Sequence, residues 1–201
     1  SWLHARTADR SADALPTLKN NQIEPFLAEP IILDEGVLER APRIVATQEG
    51  RVLLSRGDRA YARGTDDAPL ALVNGKPVNY RVYRNATALR DPVTKAVLGY
   101  EAQYLGKVAL VRGQSSTEVT QADGQTVTTP VPATIDIVDS KEEMRTGDRL
   151  MPDPPREFLS YVPRAPSRPV QGAVVSMYGT SVANAAQNQI VVLNKGSDAA
   201  D

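Results

Sequence analysis

Prolines and glycines, 15 and 13 of them, fall without period along this 201-residue chain and cut it into short pieces. A proline interrupts a helix or a central sheet ladder at its position, and glycines mark turns and bulges. The pieces between them are short β-like runs: RIVAT at 43–47, RVLLS at 51–55, RAYAR at 59–63 and NYRVYR at 79–84. Their alternation and spacing predict a mainly β fold of two small β-rich lobes, barrel or sandwich-like, with a projecting β-hairpin and a proline-rich connector.

Residues 1–22 are polar and lack a sustained period, which reads as a tail or linker from an upstream module. A β-rich domain is expected over 23–151. Near its start, Pro25 and Pro30 permit at most a helical turn around Ile23 to Leu27 before an extended Ile31 to Leu33. Further on, Pro92 presets a turn at Asp91 to Thr94, and Val97 to Val111 is the longest predicted strand, bent at Gly99 or Gly106. Between Arg112 and Pro132 the chain is rich in Ser, Thr and Gln, with Asp123-Gly124 at its middle. That dipeptide accepts the positive φ values of a two-residue hairpin turn, so a hairpin arm is predicted at 117–129. Its large apolar residues are Val119 and Val127, with Val131 just beyond, too few for a core of its own.

Past the strand TIDIV, Pro152, Pro154, Pro155, Pro163, Pro166 and Pro169 define a connector at 152–171. Residues 172–201 then hold two strand-like runs, GAVVSMYG and NQIVVLNKG, around a loop of small residues. They read as the start of a C-terminal β lobe.

One triplet occurs twice: Gly57-Asp58-Arg59 and Gly147-Asp148-Arg149. Before the second copy, Ser140 and Glu143 have capping-box spacing, which predicts one helical turn over Lys141 to Met144. Gly147 would then adopt a left-handed conformation and Asp148 would bond neighbouring N–H groups. Gly57, Asp58, Gly147 and Asp148 are therefore read as structural corners, not catalytic groups.

Composition excludes several function classes. Lys plus Arg number 23 against 24 Asp plus Glu, so no overall field draws nucleic acid or an acidic membrane. Aromatics make up 5% of the chain, which disfavours a stacking groove for sugars or bases. There is no cysteine, and the single histidine, His4, lies in the tail. The adjacent carboxylates Asp66-Asp67 and Glu142-Glu143 diverge on either a strand or a helix, and no phosphate-binding glycine loop occurs. No catalytic residue, metal ligand or cofactor is predicted, and no apolar run of membrane-spanning length appears.

The strings IEPFLAEPIILDEGVLERAPRIVATQEGRVLLSRGDRAYARG, YRVYRNATALRDPVTKAVLGYEAQYLGKVALV, SKEEMRTGDRLMP and YVPRAPSRPVQGAVVSMYG with NQIVVLNKG resemble a known family. They are similar to the C-terminal region of the TsaP-type, type IV pilus secretin-associated proteins, which carry a LysM module and a FlgT-like C-terminal domain. The resemblance runs from about Ile23 to Gly196, after the LysM module. It implies a non-enzymatic role in the periplasm: linking the outer-membrane secretin ring to peptidoglycan through the LysM module, with neighbouring copies around the ring. It supplies no catalytic residues.

A thinly cored hairpin suits docking on another protein's sheet edge. Val119, Gln121, Asp123, Gly124, Gln125 and Val127 are the expected partner-binding residues. The competing reading is a cell-wall carbohydrate-binding or hydrolytic accessory protein.

Overall fold

The computed structural model describes residues 31–120, 125–154, 169–177 and 191–196. Its strands are β1 (Ile31–Leu33), β2 (Arg43–Thr47), β3 (Arg59–Arg63), β4 (Val78–Arg90), β5 (Val97–Arg112), β6 (Ser115–Thr120), β7 (Thr126–Val131), β8 (Ala133–Ser140), β9 (Arg149–Pro152), β10 (Val174–Met177) and β11 (Val191–Leu193). A one-turn helix, α1 (Val37–Arg40), follows β1. Six strands pair in the order β5, β4, β9, β2, β3, β8, and β8 pairs back onto β5, closing an antiparallel barrel. Closure pairs the ring segments of these strands on both sides, while Ala86–Arg90 of β4 extends beyond the ring and pairs with β5 alone.

The predicted alternation is what fills the barrel. Ile44, Ala60, Ala62, Val82, Val108, Leu110, Ala133, Ile135, Ile137 and Leu150 form one buried cluster. Three of these are alanines on β3 and β8, which suits the narrow bore of a six-stranded ring. Leu54 and Met144 join the cluster near the Ser140 end of β8, and Leu70 near its Ala133 end.

A smaller second core lies outside the ring. β1 adds to β5, with Ile31 opposite Ala102, and Leu38 of α1 packs with Tyr83, Ala102 and Tyr104. The two tyrosine rings meet edge to face at 5.7 Å and 61°.

Two local expectations fail. RVLLS is not a strand: only Leu54 is paired, by an isolated bridge to Met144, while Val52 is 80% exposed. An apolar run earns a ladder only if neighbours are there to pair with it, and here a single residue reaches the core. The capping box at Ser140 does not form either. Ser140 Oγ donates to Glu142 O at 2.7 Å instead of accepting from the chain ahead, and Met144 is held in the bridge to Leu54, so Lys141 to Met144 is not helical.

In the long strand Gly106 has a φ of +152°, and the β4–β5 register shifts beside it, between Val82 and Tyr83. A Cβ there would lie 2.2 Å from Asp139 O and 2.7 Å from Met144 Cε, so β5 can cross β8 only with glycine at this point. The turn after β4 is organised by Asp91, whose Oδ1 accepts from the N–H groups of Val93 and Thr94.

Of the region beyond the barrel, β10 and β11 pair antiparallel and dock on the β4–β5 hairpin. Ser176 Oγ donates to Glu101 Oε2 at 2.7 Å, and Asn194 Nδ2 donates to Asp91 Oδ2 at 2.9 Å. The predicted tail, the turn at Ile23 to Leu27, most of the connector and the end at Asp201 lie outside the described residues.

Candidate functional site

The arm is a separate two-stranded sheet, β6 with β7. Thr120 lies opposite Thr126, so positions 121–125 connect the strands. The structure sets Val119 opposite Val127, and Thr117 opposite Thr129, the two ends of the predicted arm. Because alternate residues share a face, this register gathers Val119, Val127 and Val131 on one side.

Gln121, Asp123 and Gly124 lie outside the described residues. Val119 and Val127 are placed, 46% and 40% exposed, and Gln125 directly precedes β7. Every residue of β6 is exposed, as is β7 up to Pro130. Among the described residues these strands pack chiefly on one another. The arm therefore stands clear of the barrel and presents both faces and both outer edges.

Its base is fixed. Gln114 Oε1 accepts from Gly64 N at 3.0 Å and from Leu70 N at 3.4 Å, while Gln114 N donates to Leu70 O at 2.8 Å. This single side chain ties the root of β6 to the β3–β4 loop. A thin hairpin is thus held at a set point on a rigid ring.

The two Gly-Asp corners are the same object built twice. In each, the aspartate N–H donates back three residues, Asp58 to Ser55 O at 3.1 Å and Asp148 to Arg145 O at 3.2 Å. The glycine is third in that turn, with φ +93° at Gly57 and +94° at Gly147, as a type II turn requires. Glycine and aspartate together then oppose one isoleucine: Gly57 N donates to Ile137 O while Ile137 N donates to Asp58 O, and Gly147 and Asp148 do the same with Ile44. That is a β-bulge with glycine first. Each corner is locked by the strand that leads into the other one, β8 for the first and β2 for the second.

The aspartates close their own turns. Asp58 Oδ2 accepts from Ser55 N at 2.9 Å, and Asp148 Oδ2 from Arg145 N at 2.7 Å. Their outer partners differ. Asp58 meets the exposed Arg51, whereas Asp148, 2% exposed, is gripped by both Nε and Nη2 of Arg84 at 2.7 and 2.8 Å. The same Nη2 also donates to Glu143 O. The Asp148 carboxylate holds the Arg84 guanidinium above its already high ordinary pKa.

A cleft borders each corner, about 280 Å³ beside Gly147 and about 480 Å³ beside Gly57. Among the described residues no group of three His, Cys, Asp or Glu is arranged to hold a metal ion, and no helix is long and apolar enough to cross a membrane.

Sequence reasoning missed three contributors: Gln114 at the arm's root, Arg84 at the second corner and Asn194 against Asp91. Each acts on a residue far away in the chain, and none sits in a local pattern that would single it out. No protein-family model matches the chain, and no curated protein matches it.

Proposed function

We propose that this chain is a non-enzymatic periplasmic interaction module. It associates with the outer-membrane secretin of a type IV pilus, in several copies around the ring, while a LysM module outside these residues anchors the assembly to peptidoglycan. The observation that carries the reading is the arm: two β-strands that pair with each other, expose both edges and line one face with Val119, Val127 and Val131. A two-stranded hairpin is marginal on its own, and an added strand from a partner supplies backbone hydrogen bonds together with burial of the valines. Secretin identity rests on the resemblance of the long sequence strings.

The test replaces residues 117–129 by a short Gly-Ser link and uses the chain as bait in an envelope extract. The folded barrel should be retained and secretin recovery should fall. Undiminished recovery sinks the role of the arm. Binding of muropeptides by this chain, without secretin, favours a carbohydrate-binding accessory instead.

A further inference from the structure

Three arginines line up across the barrel wall. Arg43 of β2 lies directly opposite Arg63 of β3 on one side and Arg149 of β9 on the other. Their chain neighbours Ile44, Ala62 and Leu150 point into the core, so alternation turns all three outward. Between β2 and β9, Ile44 N donates to Asp148 O at 2.9 Å and Leu150 N to Pro42 O at 2.7 Å. These bonds flank Arg43 and Arg149, which makes them a non-hydrogen-bonded pair, the kind whose Cα atoms approach to about 4.5 Å.

Like charges directly opposite one another destabilise a sheet. No carboxylate forms an ion pair with them among the described residues: the aspartates that do form ion pairs, Asp58, Asp136, Asp148 and Asp153, pair with Arg51, Arg59, Arg84, Arg81 and Lys107. Arg149 is pinned by donating Nη1 to Ala41 O at 3.0 Å, and Arg43 and Arg63 are exposed. The row spans roughly 10 Å across three strands. At its β9 end it opens into the cleft beside Gly147, which Arg145 also lines, with apolar Leu38 and Ala86.

We infer that this row is a second docking surface, independent of the arm, for a short acidic segment of a partner protein. Guanidinium forks match planar carboxylates two bonds at a time, and two or three carboxylates of an extended segment fit a row of this length. A broad anionic surface fits less well. The chain as a whole carries a net charge of −1, and Glu39 lines the same cleft, so attraction is confined to the row.

The test titrates fluorescein-labelled hexaglutamate with the full chain at low ionic strength, read by anisotropy, alongside Arg43→Gln/Arg63→Gln and a charge-matched control, Arg56→Gln/Lys76→Gln. Both pairs are exposed, and circular dichroism establishes that each variant is folded. The row variant should bind at least about fivefold more weakly while the control keeps wild-type affinity, and added salt should weaken wild-type binding. Absence of peptide binding, or equal losses in both variants, overturns the inference. So does stronger retention of the chain by phosphatidylglycerol vesicles or single-stranded oligonucleotide through the same arginines, which would assign the row to another class of partner.

Discussion

Leu54 and Met144 exchange backbone hydrogen bonds in both directions, each 2.8 Å, and so join the two Gly-Asp corners back to back. Both side chains are essentially fully buried in the barrel core. The repeated triplet is thereby explained: one corner lets the chain turn into β3, the other into β9, and the bridge between their leading segments closes that end of the ring.

Truncating either residue, Leu54→Ala or Met144→Ala, should cost about 2–5 kcal/mol in urea unfolding. Because the two share one cluster, their effects in a double-mutant cycle should fall short of or exceed additivity by at least about 0.5 kcal/mol. Strict additivity would show that the two side chains do not pack as one unit in the core.

At Gly147 and Gly57, an added Cβ would meet nothing within 4 Å, so backbone conformation alone sets the cost of substitution. Gly147→Ala should destabilise by about 1 kcal/mol, Gly147→Val by more, and Gly147→Asn by less than Ala, since asparagine tolerates positive φ. Asn85, in β4 with φ +47°, already shows that tolerance in this protein. Unchanged thermal stability of Gly147→Val would remove this account of the corner.

The two corner aspartates give opposite expectations for their arginine partners. Arg84→Met leaves the Asp148 carboxylate buried without its guanidinium, and about 3–5 kcal/mol should be lost. Arg51→Met acts on an exposed pair and should cost about 0–1 kcal/mol. Chemical denaturation of the two variants side by side decides the matter, and equal losses would contradict the difference in burial.

Asp91 should make the docking of the β10–β11 ribbon sensitive to acid. Hydrogen bonds from Thr94 N, Asn194 Nδ2 and Val93 N hold its carboxyl down to about 2. A group depressed in the folded state contributes stability that is fully present above its unfolded pKa of about 3.9 and disappears as pH falls toward the folded value. Protection of Val191–Leu193 amides against hydrogen exchange should therefore weaken between about pH 4 and about pH 2. Asp91→Asn should weaken it less steeply over that window. A wild-type profile flat across it would rule out the link.

Much of the barrel could be read from the chain, because alternation and turn chemistry are local. RIVAT, RAYAR, the Asp91–Thr94 turn and the long strand all occur where their residues place them, and Gly147 has the positive φ expected of it. What failed was also locally plausible. RVLLS has strand-like residues, and Ser140 with Glu143 has the spacing of a cap, but a strand needs a neighbour and a cap needs a free helix end. Both requirements are met or refused by residues far away, here by the bridge between Leu54 and Met144. The arm was legible as a hairpin with Thr117 and Thr129 at its ends, while the gathering of Val119, Val127 and Val131 on one face follows from the pairing of β6 with β7. Net charge concealed the arginine row for the same reason. Arg43, Arg63 and Arg149 are unremarkable in a sequence of balanced charge, and only the pairing of β3, β2 and β9 sets them side by side.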